Sequence, residues 1–403
     1  MTDFPWRGAE YGRLRDFLDS KNLETPYLVT DPAIAADRYH RIRSAFPKAH
    51  LFYAVKANPE PVLLRALAEL GGSFDVASPQ EIDMCLGAGI PASALCYGST
   101  IKKPTDICHA YDHGIRLFAF DSVGELRKLA MYAPGASVFC RLLVDNTGAQ
   151  WPLGRKFGCP PEMAVELLDD ARQSGLTAVG VSFHVGSQQL DPSSWDRGIQ
   201  LAAKTFYESA RNGLHLELLN LGGGFPARYT RAVPSIDYYA NRIQRSLRLH
   251  FGDAMPTVML EPGRYISAEA GVIRSQVVLV TRRTPADDRR WVYLDIGRFG
   301  GLPETEGEAI RYPLVTRHDG CPAGPVILAG PTCDSADVLY DKAGYALPLA
   351  LREGDHVDII SAGAYTATYS SSGFNGFPPL KSYTLERSTA IHIGLQPPGN
   401  SRT

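Results

Sequence analysis

The sequence has no pair of cysteines with C-x-x-C spacing, and its seven cysteines are an odd number. A disulfide framework and a structural zinc site built on cysteines are therefore not expected. We predict no metal site in this chain. Free thiols in this number fit a reducing compartment, so we expect a cytoplasmic location.

An excess of charge of either sign is also missing. Lys and Arg number 41 against 43 Asp and Glu, for a formal net charge of -2. We therefore expect no nucleic-acid partner and no anionic membrane surface. Apolar runs such as Gln276–Val280 have only strand length, and the N-terminus has no apolar core behind basic residues. Neither a membrane span nor a secretory signal is predicted.

What the sequence does contain, from about residue 32 to 265, is an alternation of short apolar runs and amphipathic segments. The predicted strands are Leu51–Ala57, Ser73–Ala77, Leu95–Gly98, Leu117–Asp121, Ser137–Val144, Ala178–Val185, Leu216–Leu221 and Thr257–Leu260. The predicted helices between them include Pro61–Leu70, Pro79–Gly87, Val123–Met131, Met163–Ser174 and Trp195–Arg211. Such an alternation is typical of parallel βα units. Eight units in series predict an α/β fold with a (β/α)8 TIM barrel, and a doubly wound open sheet is the alternative.

The pattern changes after Glu261 to strands joined by turn-rich connections with little helix. The strand candidates there are Val272–Thr281, Trp291–Ile296, Pro325–Leu328 and His356–Ile360. We predict a barrel domain over residues 32–265 and an all-β domain over residues 266–387. Residues 1–31 join the β domain through the strand Pro26–Thr30, and residues 388–403 form a loose tail.

Polar residues gather at the C-terminal ends of the predicted barrel strands, which is where barrel enzymes place their functional groups. These residues are Lys56, Asp75, Arg141, His184, the glycines 222–224, Glu261 and Arg264. Agreement among six strand ends predicts one site at that face of the barrel.

Each of these residues also has an ordinary structural interpretation. Lys56 could be a surface lysine packed along a strand end, or an amine nucleophile whose pKa is lowered by burial. The glycine triplet could form a tight turn or offer N–H groups to a phosphate. Glu261 could pair with Arg264, or could keep a pyridine nitrogen protonated. His184 could be a core histidine or could stack on a flat cofactor.

The second domain carries three further segments with a distinctive composition. GPTCDSAD (330–337) places a cysteine beside an aspartate in a loop after an apolar strand, where we expect an exposed and polar thiol. GAYT (363–366) and GFNGFP (373–378) follow, and the second suits the mouth of a pocket. Walker A, H-E-x-x-H and G-x-S-x-G motifs are missing, so the reactions associated with them are not predicted.

Taken together, YAVKAN, FDVAS, HVGSQ, GGGFP, EPGRY, GPTCDSAD, GAYT and FNGF resemble the fold-type III pyridoxal-phosphate decarboxylases. That family includes ornithine, lysine, diaminopimelate and arginine decarboxylases, and the resemblance runs from about residue 26 to 385. It is nearest to the bacterial ornithine and lysine enzymes. The resemblance implies an alanine-racemase-like barrel and pyridoxal 5'-phosphate as the cofactor.

The resemblance also implies roles for individual residues. Lys56 is similar to the lysine that holds the cofactor as a Schiff base, Glu261 to the partner of the pyridine nitrogen, and His184 to the residue stacked on the ring. Cys333 resembles the acid that returns a proton to the substrate. The implied cofactor-binding residues are Lys56, Asp75, Arg141, His184, Ser187, Gly223, Gly224, Glu261, Gly263, Arg264 and Tyr365. The implied substrate contacts are Asp334, Asp295 and Phe374.

In this family the cysteine loop enters the active site of the other subunit, so the resemblance implies a homodimer with shared active sites. The implied reaction converts a basic L-amino acid, ornithine or lysine, into putrescine or cadaverine plus carbon dioxide. Ile296 falls where eukaryotic ornithine decarboxylases have a second acid, although Asp295, Glu304 or Glu306 could substitute for it. Diaminopimelate, or a diamino acid conjugated at its distal end, is therefore the alternative substrate. A non-enzymatic regulator and an amino-acid racemase are disfavoured by the retained Lys56, Glu261 and Cys333.

Overall fold

The structure is a computed structural model that describes residues 5–154, 156–371, 373–386 and 391–393. Its strands in chain order are β1 (Tyr27–Thr30), β2 (His50–Ala54), β3 (Ser73–Val76), β4 (Leu95–Tyr97), β5 (Leu117–Phe120), β6 (Ser137–Arg141), β7 (Ala149–Trp151), β8 (Thr177–Ser182), β9 (Ser187–Gln189), β10 (Leu218–Asn220), β11 (Thr257–Leu260), β12 (Gly271–Thr281), β13 (Arg290–Leu294), β14 (Leu314–Thr316), β15 (Ala323–Ala329), β16 (Val338–Tyr340), β17 (Ala346–Pro348), β18 (His356–Ile360), β19 (Lys381–Leu385) and β20 (Ile391–Ile393).

The helices belong almost entirely to the first two thirds of the chain. In chain order they are α1 (Gly12–Ser20), α2 (Pro32–Ala45), α3 (Pro61–Glu69), α4 (Pro79–Gly87), α5 (Pro104–Asp112), α6 (Val123–Tyr132), α7 (Pro161–Gln173), α8 (Ser194–Arg211), α9 (Ile236–Phe251) and α10 (Arg264–Ser267). Short 3-10 turns connect several of these elements, among them Val55–Ala57 directly after β2.

The chain divides into two compact units. The barrel unit comprises residues 36–226 and 233–266, and the sheet unit comprises residues 1–35, 227–232 and 267–403. Residues 227–232 thus lie between barrel elements in sequence but belong to the sheet unit. There the Thr230 amide donates to the carbonyl of Arg311 at 3.2 Å, and the Ser361 hydroxyl donates to the carbonyl of Arg228 at 2.9 Å.

In the barrel unit eight parallel strands close on themselves in the order β10-β11-β2-β3-β4-β5-β6-β8. Their inward side chains form an apolar core that includes Cys96, Ala119, Phe139 and Met259. The prediction of a (β/α)8 barrel is confirmed, and the open-sheet alternative is wrong. The eight strand ends therefore converge on one face of the unit.

The barrel helices begin where the sequence supplies favourable first residues. Pro occupies the first position of α3, α4, α5 and α7, where its missing N–H and fixed φ cost the helix nothing. Ser78 and Ser122 cap α4 and α6, each accepting from the backbone N–H three residues later at 3.3 Å. Within the described residues, no helix is long and apolar enough to cross a membrane.

The sheet unit contains a ten-stranded sheet whose central path is β16-β15-β13-β12-β1-β19-β20. Strand β1 pairs antiparallel with β12 and parallel with β19, so the N-terminal strand joins the C-terminal β domain as predicted. A correction concerns the predicted tail, because β20 falls within it and pairs with β19. The remainder of that tail, residues 388–390 and 394–403, lies outside the described residues, as do residues 1–4 of the predicted N-terminal segment.

Candidate functional site

Lys56 lies at the C-terminal face of the barrel, but not within a strand. Strand β2 ends at Ala54, and Lys56 occupies the 3-10 turn that follows, which corrects the prediction that it ends the strand. Its Nζ is 2.8 Å from Oδ2 of Asp75, which stands in β3 beside β2. Asp75 is 2% exposed and Lys56 is 47% exposed, so the amine reaches outward from a buried carboxylate. Within the described residues, Oδ1 of Asp75 is buried without a hydrogen-bond partner.

Glu81 is a neighbour of this pair that no motif in the sequence marks as a site residue. Its Oε2 accepts a hydrogen bond from the Ala77 amide at 2.7 Å, in the first turn of α4. Burial raises the pKa of Glu81 to about 7, and Asp75 adds to that rise while Lys56 opposes it. Ser78-x-x-Glu81 is the sequence pattern of a helix cap, and such a pattern gives no sign that the lysine lies nearby.

Glu261 directly follows β11, as predicted. Its Oε1 accepts from Nδ2 of Asn220 at 2.6 Å, and Oδ1 of Asn220 accepts from the Gly222 amide at 2.9 Å. Burial raises the pKa of Glu261 to about 7, and the charge of Asp75 raises it further, whereas Lys56, Asn220 and Arg141 lower it. A cation placed against this carboxylate would restore its ionised form at neutral pH.

His184 lies two residues beyond the end of β8 at Ser182, not at the strand end itself. Its Nδ1 accepts a hydrogen bond from the Gly186 amide at 3.0 Å. Because a backbone N–H can only donate, the neutral ring carries its proton on Nε2. Burial lowers the pKa of His184 to about 3, with further lowering from Arg141 and Lys56. The imidazole is therefore a flat, neutral surface at any ordinary pH.

The glycines after β10 are required by their surroundings. Gly222 and Gly224 have φ of +67° and +99°, in the left-handed region that side chains with a Cβ rarely adopt. A Cβ on Gly222 would lie 2.3 Å from the carbonyl oxygen of Phe183, and one on Gly224 would lie 2.5 Å from that of Gly186. This turn lets its backbone approach the segments that follow β8 closely. Gly223 lies between them, with Oδ1 of Asn220 fixing the start of the turn.

Arg264 and Ser187 form a buried polar pair. Nε and Nη2 of Arg264 donate to the Ser187 hydroxyl at 3.1 and 2.9 Å, and Arg264 is only 3% exposed. Gly263 immediately precedes this arginine, which begins α10. A guanidinium and a hydroxyl held together in a buried position are suited to a phosphate.

Arg141 is the last residue of β6. Its guanidinium carbon lies 5.4 Å from the centre of the Phe157 ring. Burial lowers the pKa of Arg141, while Glu261, Asp121 and Asp75 raise it. Arg141 thus contributes positive charge to the same group of side chains as Glu261.

The other five predicted site residues belong to the sheet unit. Cys333 is exposed, and its amide donates to Oδ1 of Asn375 at 2.9 Å, so the cysteine loop is tied to the GFNGFP segment. Phe374 in that segment is 40% exposed, and its ring centre lies 5.0 Å from that of Phe299. Asp334 is exposed, and its Oδ1 accepts from the Ala336 amide at 2.8 Å.

Buried Asp337 holds the cysteine loop in shape. Its Oδ2 accepts from the hydroxyl of Thr332 at 2.7 Å, and its Oδ1 accepts from the Arg298 amide at 2.8 Å. Tyr365 is half-buried and has φ of +56°. Oδ1 of Asp295 accepts from Ser275 Oγ at 2.7 Å and from the next amide at 2.9 Å, so this carboxylate is engaged within the sheet.

The barrel unit therefore gathers ten of the predicted residues at its strand ends: Lys56, Asp75, Arg141, His184, Ser187, Gly223, Gly224, Glu261, Gly263 and Arg264. This set fits a flat, anionic cofactor that carries an aldehyde and a basic ring nitrogen. It offers an amine, a neutral imidazole, a carboxylate that lacks a full counter-charge and a buried cationic pair suited to phosphate. Asn220 and Glu81 extend the predicted set, and only their spatial neighbours reveal them.

Comparison with known proteins agrees with this chemistry. Residues 34–268 match the family described as "Pyridoxal-dependent decarboxylase, pyridoxal binding domain". The chain is 35% identical over 360 residues to a lysine/ornithine decarboxylase of Selenomonas ruminantium, covering 89% of each chain. It is 32% identical over 390 residues to the ornithine decarboxylase of Caenorhabditis elegans, covering 92% of this chain and 90% of the relative. The structure of a Vibrio vulnificus lysine/ornithine decarboxylase complexed with cadaverine matches with a TM-score of 0.83 at 32% identity, covering 94% of this chain and 100% of that one.

Proposed function

This chain belongs to the pyridoxal-dependent decarboxylases, and from that premise we propose that it removes carbon dioxide from ornithine or lysine. The products would be putrescine or cadaverine, which are the diamines of polyamine biosynthesis. The observation that carries the proposal is the 2.8 Å pair of Lys56 and Asp75 at the barrel strand ends that also carry Glu261. The pair provides an amine nucleophile, and Glu261 provides the carboxylate that a ring nitrogen requires.

Pyridoxal phosphate is the cofactor of this family, and when bound it supplies a sink for the electron pair left by the departing carboxylate. We assign its aldehyde carbon to Lys56 and its phosphate to Ser187 and Arg264, together with the backbone of the Gly222–Gly224 turn. Gly263 and Tyr365 complete the predicted phosphate contacts.

Four side chains of the barrel unit then have distinct tasks. Glu261, kept in place by Asn220, holds a proton at the ring nitrogen through its negative charge. Neutral His184 would cover one face of the ring without adding positive charge next to it. Asp75 keeps the Lys56 ammonium oriented until the amine reacts. Arg141 balances part of the carboxylate charge near Glu261.

Two residues of the sheet unit act on the substrate in this proposal. The Cys333 thiol gives a proton to the substrate's α-carbon after carbon dioxide has left, and Asp334 attracts the distal ammonium by its negative charge. Both are exposed in the chain. We propose that two copies form a homodimer in which this loop completes the site of the other copy. All seven cysteines are free, and we propose a cytoplasmic enzyme.

A second substrate class is favoured by one observation in the sheet unit. Ile296 is fully buried, and the neighbouring Asp295 carboxylate is occupied by Ser275 and the following amide. Ile296 itself thus offers no carboxylate at the position where a distal ammonium would find its second partner. Diaminopimelate, or a diamino acid conjugated at its distal nitrogen, is the alternative that this favours.

The test is the release of carbon dioxide from ornithine, lysine, arginine and meso-diaminopimelate, with the amine products identified by mass. We expect ornithine or lysine to react fastest, since both carry a free distal ammonium. Ornithine and lysine differ by one methylene, which is worth only about 1–3 kcal/mol of discrimination, so activity on both is expected. Turnover of meso-diaminopimelate alone would support the second class, and no carbon dioxide from any basic amino acid would refute the proposal.

The role of Lys56 has its own measurement. Borohydride should reduce the cofactor onto the wild-type chain and leave a stable adduct on the peptide that contains Lys56. Lys56→Ala should give no adduct, while Lys48→Ala, which alters an exposed lysine of the same unit, should behave like the wild type. An adduct on another peptide of the wild-type protein would reassign the lysine.

A further inference from the structure

The outer surface of the barrel unit carries a cluster of metal-binding side chains that the decarboxylation does not use. Asp83 lies in α4, His109 in α5, and His113 at the C-terminal end of α5. One potential ligand atom from each of the three lies within 4.8 Å of the others. We propose that these residues form a binding site for one divalent transition-metal ion, of the kind that imidazole prefers, such as Zn²⁺ or Ni²⁺.

The spacing of the two histidines follows from helix geometry. Residues four apart lie on the same side of a helix, one turn above the other, and the ring centres of His109 and His113 are 4.3 Å apart. Asp83 approaches from the neighbouring helix, with its Oδ1 2.8 Å from Nε2 of His109. Two elements of the barrel thus supply the ligands, and a bound ion would bridge them.

The hydrogen bonding of His113 prepares it for a metal. Its Nδ1 lies 2.8 Å from the backbone carbonyl oxygen of His109. A carbonyl oxygen can only accept, so Nδ1 carries the proton and the lone pair of the neutral ring is on Nε2. Metal-binding histidines commonly donate their second ring N–H to such a carbonyl, which fixes the ring and its tautomer.

The distances require only small adjustments. Ligand bonds of about 2.0–2.2 Å to Zn²⁺ in a tetrahedron place neighbouring ligand atoms roughly 3.3 Å apart. The side chains of Asp83 and His109 are 58% and 30% exposed, so both can rotate to reach this spacing without disturbing the core. Three protein ligands leave the fourth position for water.

The position of the cluster separates it from the reaction. The C-terminal end of α5 leads into the N-terminal end of β5, whereas Lys56 and Glu261 follow the C-terminal ends of their strands. The proposed ion therefore binds toward the opposite face of the barrel, where we expect it to stabilise the fold and to leave turnover unchanged. Cysteine spacings give no sign of this site, because its ligands come from two helices and include no thiol.

The test measures Ni²⁺ binding to the full-length holoenzyme, without an affinity tag, by titration calorimetry. We expect one Ni²⁺ per chain, and a rise in the unfolding temperature when the ion is added. His113→Ala should weaken binding at least about tenfold and abolish the rise in unfolding temperature. His215→Ala, which removes an exposed histidine elsewhere on the barrel unit, is the matched control and should bind as the wild type does.

Asp83→Asn provides a second variant that keeps the size of the side chain, in case loss of His113 disturbs folding. It should also weaken Ni²⁺ binding, while carbon dioxide release by both variants stays at the wild-type rate. Equal Ni²⁺ affinity in wild type, His113→Ala and Asp83→Asn would overturn the proposal, as would an absence of bound Ni²⁺. In either case His109 and Asp83 form an ordinary surface hydrogen bond.

Discussion

Replacing Glu261 by Gln removes a negative charge from the site and preserves the shape of the side chain. Burial, with the charge of Asp75, raises the pKa of this carboxyl from 4.5 to about 7. Keeping it ionised there costs about 3 kcal/mol relative to water, at about 1.4 kcal/mol for each pH unit. A protonated ring nitrogen beside it would offset this cost, and that proton is what would enable the ring to accept the electron pair left by the departing carboxylate.

Loss of that pairing should therefore raise the barrier by roughly 3 kcal/mol, which lowers kcat by about two decades or more. We expect this of Glu261→Gln, and of Glu261→Ala, in which the hydrogen bond from Asn220 is lost as well. The assay is carbon dioxide release at saturating substrate, with cofactor content measured on the same samples. Glu217→Gln, a neutralised carboxylate beside the N-terminal end of β10, is the control and should keep the wild-type kcat. A Glu261→Gln enzyme with full cofactor content and unchanged kcat would refute the reasoning.

Three further predictions concern stability, measured by urea denaturation. Gly224→Ala places a Cβ 2.5 Å from a carbonyl oxygen at φ +99°, so it should lower the free energy of unfolding by about 1–3 kcal/mol. Gly87→Ala is the control: its Cβ lies in open space on α4, so this substitution should be neutral or slightly stabilising. The pKa of Glu81 is about 7 when folded against 4.5 for the free group, so its contribution to stability falls as pH rises from about 4.5 to 7. The free energy of unfolding of Glu81→Gln, relative to that of the wild type, should therefore rise by up to about 3 kcal/mol between pH 5 and pH 8. A difference between the two proteins that does not change with pH would contradict this. Lys102→Met should lower the free energy of unfolding by about 3 kcal/mol. The buried Nζ of Lys102 contacts two backbone carbonyls at 2.6 and 2.7 Å and Glu125 at 3.0 Å, and the variant loses all three contacts. An unchanged urea midpoint would show that the buried pair contributes nothing to stability.

Elements bounded by Pro and Gly were the most predictable from sequence. The predicted ranges of α4, β11 and β18 coincide with the observed ones, because Pro79, Pro256 and Gly354 mark where the chain changes direction. The strand containing Lys56 was predicted three residues too long at its C-terminal end. An apolar run gives no sign of where backbone pairing gives way to a 3-10 turn.

The site could be predicted where the barrel itself dictates proximity, since the C-terminal ends of parallel strands must meet. It could not be predicted where contacts join side chains across loops. Asn220 reads as an ordinary strand residue, and its bond to Glu261 appears only in space. Asn375, which ties the cysteine loop to the next segment, was equally hidden. Strand β20 is not predicted, because two isoleucines flanking a histidine before a Pro-rich end carry too little pattern.

The pairing of β1 has a consequence for how the chain is made. All four residues of Tyr27–Thr30 are buried in the finished sheet, between β12 and β19. The partner Gly271 is synthesised about 240 residues after Thr30, which at about 5–20 residues per second leaves the strand unpaired for roughly 10–50 s. Its second neighbour, beginning at Lys381, emerges later still. During translation this short strand stays unpaired and prone to aggregation. A chaperone that shields nascent chains should therefore raise the yield of folded protein more than one that acts after release.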